Sequence, residues 1–178
     1  VRLSKSRFTA GLQCHRLLWW QVHEPEAEEL VPDVALQARF DTGTRVGALA
    51  RTYVPGGRLV DLPHNAYGER ISLTRNLLDE GAPAIYEATF STGDAYAAID
   101  IVERVRRGFN LVEVKSSTSV KPEHIPDVAI QMHVLARSGL EVRQRRARGA
   151  DHRHDVHGQS GGPAGLIVTG TESGSVID

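Results

Sequence analysis

The chain has 178 residues, 40% hydrophobic and 24% charged, with a formal net charge of −1. This length supports one domain with a real core, and the charge balance excludes a global basic field, so any nucleic-acid contact must come from a local patch or a metal ion. A single cysteine excludes an intramolecular disulfide, and no apolar run approaches the ~20 residues of a membrane span, which together point away from the membrane and to a reducing, cytoplasmic setting.

Val1 stands where a Met would begin a full chain and no signal peptide is visible, so a fragment or processed chain is expected. Residues 4 to 20 read as a helix with a turn. Ser4 or Ser6 would cap it, and Phe8, Leu12, Leu17 and Leu18 supply apolar contacts. Lys5, Arg7 and Arg16 could touch phosphates or simply form a solvated basic face. Trp19 and Trp20 are expected in the core because of their area. Cys14 is expected as a buried thiol.

Glu24 to Pro32 is an acidic connector. Asp33 then reads as the N-cap of a helix through Tyr53, with a broken apolar stripe of Val34, Leu36, Phe40, Val46, Leu49 and Ala50. Gly43 and Gly47 within it are expected to mark close helix packing, Gly43 above all. Pro55-Gly-Gly57 is a turn, and Arg58 to Leu62 a short strand. Ala66 to Leu78 reads as the next helix, ended by Gly81-Ala-Pro83.

Three apolar, partly β-branched runs follow, near 84–90, 95–103 and 109–115. Glu87 sits among Ile85, Tyr86 and Ala88, where it needs a partner, a metal ion or solvent. Asp100 interrupts Ile99 and Ile101. Glu113 and Lys115, two apart, leave one strand face. A hairpin through the turn from Arg104 to Gly108 would bring Asp100, Glu113 and Lys115 together. Hard carboxylate oxygens bind Mg²⁺ or Mn²⁺, and an amine beside them can orient water or stabilise developing charge. The same residues would also make an ordinary hairpin with a cross-strand ion pair.

Ser116 to Val120 reads as a polar loop. A helix over 123–138 follows, with Ile125, Val128, Ala129, Met132, Leu135 and Ala136 on its apolar face. Gln131 lies one turn from Asp127 and could bond a phosphate, a water or Lys115, or sit at the surface. His124 is expected to be exposed. A fourth strand is expected over 140–146. The composition then changes: Arg143 to Arg148 is basic, and eight of seventeen glycines fall from Gly139 onward. Residues 149–178 are therefore expected to be a disordered or out-of-pattern tail, Leu166-Ile-Val168 being its one apolar stretch. His152, His154 and His157 suggest a metal-binding tail by composition alone.

Asp100, followed thirteen positions on by Glu113-Val-Lys115, resembles the D…(D/E)-x-K signature of the PD-(D/E)XK nuclease superfamily. Tyr86-Glu87-Ala88 resembles the first-strand glutamate of its RecB-like branch, and Asp127-Val-Ala-Ile-Gln131 that branch's glutamine helix. Leu3-Ser-Lys-Ser-Arg-Phe8…Cys14…Leu18-Trp19 resembles the start of CRISPR-adaptation-type nucleases and of a related RecB-like family of unknown function. The resemblance covers roughly residues 3 to 142 and implies a restriction-endonuclease-like α/β (α+β) fold. A mixed sheet would be flanked by helices. The domain would span 1–148, with a helical part over 1–80 and a catalytic core over 84–148.

It also implies a metal-dependent DNA nuclease, exonuclease-like, acting on single strands or duplex ends. Asp100, Glu113 and the Val114 carbonyl would hold Mg²⁺ or Mn²⁺, with Glu87 on a second metal ion or its water shell. Lys115 would orient or activate the attacking water, and Gln131 would position water or phosphate. Lys5, Arg16 and Ser116 would contact substrate. In iron–sulfur relatives a cysteine like Cys14 joins three others on a 4Fe–4S cluster. This chain has one cysteine, so that cluster is not supported within it. Gly47 occupies a slot where several relatives place a metal-binding histidine. Two alternatives remain: a nuclease-like nucleic-acid-binding module that no longer cuts, and a fragment completed by a C-terminal domain or partner protein.

Overall fold

The computed structural model describes residues 3–117, 121–142 and 166–169. It is an α/β domain in which helices flank a mixed six-stranded sheet. In chain order come β1 (Leu3–Ser4), α1 (Lys5–Gln13), α2 (His15–His23), α3 (Val34–Tyr53), β2 (Arg58–Leu59), α4 (Tyr67–Asp79), β3 (Ala84–Thr92), β4 (Ala95–Val105), β5 (Gly108–Lys115), α5 (His124–Arg137) and β6 (Leu166–Thr169). Strand order is β2-β3-β4-β5-β6, with β1 pairing the start of β4. The β3–β4–β5 meander is antiparallel and β2 is parallel to β3. Among the described residues no helix is long and apolar enough to cross a membrane.

Local chemistry sets the element ends. Ser4 Oγ accepts the Arg7 N–H at 3.1 Å and Asp33 Oδ1 accepts the Leu36 N–H at 2.7 Å, so both expected N-caps are in place. The chain breaks at Cys14 (φ −161°), so the N-terminal helical stretch is two helices rather than one. Gly81 (φ 79°) closes α4 in the left-handed conformation that glycine adopts without strain. Gly57 has a steric reason of its own. A Cβ there would collide with the Tyr86 ring, whose hydroxyl accepts the Gly57 N–H at 3.1 Å.

Two apolar clusters lie on the sheet. One joins Ile85, Ala88, Phe90, Ala97, Ile99, Val102 and Leu111 to Leu77 of α4 and to Ile130, Val134 and Leu135 of α5. The other joins Ala84, Tyr86, Ile101 and Val112 to Ala50 of α3. Burying each of the larger side chains stabilises the fold by roughly 1.5–3 kcal/mol. The membership carries information. Ile85 and Ala88 are three apart yet share a cluster, as do Ile99 and Val102. Strict alternation would put each pair on opposite faces. Both strands therefore change phase, β3 at Glu87 and β4 at Asp100. Glu87 has φ 57°, the one non-glycine residue with positive φ among those described.

Several expectations are corrected. Trp19 is 48% exposed, because α2 packs on α1 and contributes no residue to the core. Cys14 is exposed, at the junction of the two helices. In α3 only Val46 and Ala50 of the apolar stripe are buried, and Val34, Leu36, Phe40 and Leu49 are exposed. Gly43 and Gly47 do not mark close packing, since a Cβ on either would meet nothing within 4 Å. His124 is buried, its Nδ1 accepting the Lys121 N–H at 3.2 Å. Of the strand expected over 140–146, Val142 forms a parallel bridge with Phe109, and 143–146 lie outside the described residues. Leu166–Thr169 pairs antiparallel with β5, so that stretch of the tail joins the sheet. The rest of the tail, with His152, His154 and His157, lies outside the described residues.

Candidate active site

The register of the meander sets three carboxylates in one row. Pairing of β3 with β4 is continuous from Ala84↔Glu103 to Thr92↔Ala95, except where Glu87 faces Asp100. Pairing of β4 with β5 ends at Ile101↔Val112, one step short of Asp100 and Glu113. Asp100 thus has no backbone partner in either ladder. Its side chain compensates: Oδ2 accepts the Val114 N–H at 2.6 Å. Phase breaks of this kind re-aim side chains at functional positions in sheets.

Glu113 is 1% exposed and fully engaged. Its Oε1 accepts from Lys115 Nζ at 2.7 Å and from Lys5 Nζ at 3.0 Å. Its Oε2 accepts from Gln131 Nε2 at 2.7 Å. Lys115 also pairs with Asp127 of α5, and Lys5 lies 3.8 Å from the other oxygen of Asp127. Gln131 is wholly buried and donates a second bond to the Asp127 carbonyl at 3.0 Å. Its Oε1 is buried with no hydrogen-bond partner, a place for a donor such as water.

Glu87 stands at the other end of the row. Its carboxylate pairs with Arg51 of α3 at 3.5 Å. Its carbonyl accepts from Arg70 Nη2 at 3.1 Å. Arg70 is a buried guanidinium that also donates to Thr89 Oγ1 and to the carbonyls of Val60 and Leu62. It ties α4 and the chain after β2 to the residue where β3 changes phase.

The electrostatics divide the row. Burial, then repulsion from Glu113, push the Asp100 carboxyl up to about 7, against the pull of Lys5. Burial would raise Glu113 too, but Lys5 and Lys115 outweigh it and hold it at about 2. Burial and the Glu113 charge raise Asp127. Lys5 and Lys115 are both raised: burial would lower them, and the surrounding carboxylates prevail. Neighbouring carboxyls pushed in opposite directions occur both in acid–base sites and in buried ion-pair networks.

The sequence-derived residues divide as follows. Asp100, Glu113, Lys115, Gln131 and Lys5 come together, with Glu87 beside Asp100. Ser116 is exposed at the end of β5, next to Lys115. Arg16 lies over the Trp20 ring at 4.7 Å on α2, and Cys14 is on the same helical pair. Gly47 lies one turn before Arg51 on α3, with open space at its Cβ. Sequence reasoning assigned no role to Asp127. Its i,i+4 spacing from Gln131, which puts both on one helix face, was the available signal.

Hard oxygen donors from Asp100, Glu113 and Glu87, with the open acceptor of Gln131, suit a divalent cation and its waters in chemical type. Among the described residues, however, no three acidic, histidine or cysteine side chains are gathered as ligands of one ion. The ammonium groups hold that ground instead. Compared with family models, curated proteins and solved structures, the chain matches none.

Proposed function

We propose that this chain is a divalent-metal-dependent nuclease of the PD-(D/E)XK type, hydrolysing phosphodiester bonds in DNA at single strands or duplex ends. The observation that carries the reading is the in-register row of Glu87, Asp100 and Glu113, with Lys115 and Gln131 both bonded to Glu113. Asp100 and Glu113, with the Val114 carbonyl and Glu87, are the residues that would hold Mg²⁺ or Mn²⁺. When bound, the ion would supply Lewis acidity toward a phosphoryl oxygen and acidify a water.

The chain's own residues do the rest. Lys115, fixed between Glu113 and Asp127, presents an ammonium that can orient an attacking water or meet developing charge. Gln131, locked by two donated bonds, presents Oε1 as an acceptor that orients a water proton. Asp127 holds Lys115 and so sets where its charge lies. In this reading Lys5 and Ser116 would contact phosphate oxygens.

One observation favours a second reading, a nuclease-like binding module without catalysis. Every oxygen of Glu113 is already bonded within the protein, and position 47 offers glycine rather than a metal ligand. Single-turnover incubation with end-labelled single-stranded and blunt duplex DNA, with Mn²⁺ or chelator, separates the two. Mn²⁺-dependent shortening that Asp100→Ala abolishes is the expected result. DNA binding without cleavage in any metal supports the binding module instead.

A further inference from the structure

The chain contains three lysines against eighteen arginines, and two of the three converge on one carboxylate oxygen. Where the other ion pairs among the described residues are made by arginine, this site uses point charges on flexible stems. Lys115 reaches Glu113 along its own strand. Lys5 reaches it from the first turn of α1, 108 residues away in sequence. The two are not equivalent. Lys115 is gripped twice, by Glu113 and by Asp127. Lys5 has one close partner, its contact to Asp127 being 3.8 Å, while both lysine side chains are about a quarter exposed.

We propose that Lys5 is a displaceable counter-ion, whose ammonium holds Glu113 until a divalent cation takes that oxygen, so that lysine and metal ion compete for the same carboxylate. The inference rests on the metal-site reading of Asp100 and Glu113. Charge balance supports it. Within the cluster Lys5, Lys115 and Arg51 already pair with Glu113, Asp127 and Glu87. A divalent ion added with Lys5 in place would put two further positive charges beside two ammonium groups in a poorly solvated cluster. Departure of Lys5 offsets one of those charges, and its partly exposed side chain gives the ammonium a route to water. An arginine would bind Glu113 through a planar fork and leave less readily. The unpartnered, fully buried Oε1 of Gln131 is an independent sign that the site expects a further occupant.

The test is calorimetric titration of Mn²⁺ into the metal-free chain and into Lys5→Met, Lys5→Arg and Asp100→Ala. Lys5→Met should bind Mn²⁺ about tenfold more tightly than the parent, within the usual range of coupling between two sites. Lys5→Arg should bind no more tightly than the parent, and Asp100→Ala should lose binding. A second readout uses the parent alone: acylation of lysines, resolved by mass spectrometry, with exposed Lys121 as reference. Saturating Mn²⁺ should raise the Lys5 to Lys121 ratio severalfold. Equal affinity in Lys5→Met and parent, with Asp100→Ala still impaired, overturns the counter-ion role and leaves the metal site standing. An absence of Mn²⁺ binding in every protein, or binding that Asp100→Ala leaves intact, overturns both. If Lys5→Met fails to fold, an unchanged acylation ratio on metal loading is enough to reject the proposal.

Discussion

Replacing Asp100 by Asn removes one charge and keeps the shape. Burial and then Glu113 raise the Asp100 carboxyl from 3.8 to about 7 in the folded chain. An acid raised in this way keeps a proton that the unfolded chain releases. Its contribution to stability is therefore whole below about pH 4, falls as pH rises, and is gone above about pH 7. Three pH steps at about 1.4 kcal/mol each give at most about 4 kcal/mol for holding the charge at pH 8. Glu113 acts oppositely, lowered from 4.5 to about 2, and loses stability only as pH falls through that lower range. Asn can still accept the Val114 N–H, which lies 2.6 Å from Oδ2. In chelator, Asp100→Asn should be more stable than the parent by about 2–4 kcal/mol at pH 8, with the difference vanishing toward pH 4. Urea unfolding at a series of pH values measures this. Mn²⁺ at a hundredfold over its dissociation constant should then stabilise the parent by about 2.7 kcal/mol and the variant hardly at all. Parallel pH curves, with the variant no more stable at pH 8, would refute the reasoning. They would mean that Asp100 carries its charge without strain.

Lys115→Ala and Lys115→Arg should each slow single-turnover cleavage about a hundredfold while Mn²⁺ affinity stays within a fewfold, since the ammonium is a point charge that arginine's fork cannot replace; near-parental cleavage by the Arg variant would return Lys115 to a structural ion pair. Gly47→Ala should raise stability by about 0.5–1 kcal/mol in urea unfolding, because the glycine sits within α3 with nothing near its Cβ. Arg70→Met should lower stability by about 3–5 kcal/mol, because it strips donors from the carbonyls of Val60, Leu62 and Glu87. A melting temperature within a degree or two of the parent would show that water replaces the guanidinium without loss.

The hairpin and its acidic pair were legible because a charged residue inside an apolar, β-branched run has few readings, and Glu113-Val-Lys115 fixes a shared face. The N-caps at Ser4 and Asp33 were legible because capping depends on residues within one turn. The convergence of Lys5 on Glu113 was not, because nothing local to α1 reveals which strand lies beneath it. Trp19 and His124 misled for the same reason. Side-chain type gives a burial tendency, whereas α2 contributes nothing to the core and the turn before α5 brings the Lys121 N–H onto His124. The phase change at Glu87 and Asp100 was also hidden. Ile99-Asp100-Ile101 looks like plain alternation, and only the packing separates Ile99 from Ile101 into different clusters.

That phase change governs more than where the carboxylates point. In an evenly alternating hairpin a slip of two residues keeps every apolar side chain on its proper face, so burial alone discriminates poorly between registers. Here a two-residue slip would set Glu87 against Val102 and Asp100 against Thr89, and would put both phase breaks out of line. Apolar residues before the break would then meet the wrong half of the neighbouring strand, and a carboxylate would be pressed into a dry layer at a cost of several kcal/mol. The two acids thus favour the same register that the two-residue turn at Gly93-Asp94 sets between Thr92 and Ala95. A chain that exchanged both for small neutral residues would keep that turn but lose the penalty on a slipped pairing.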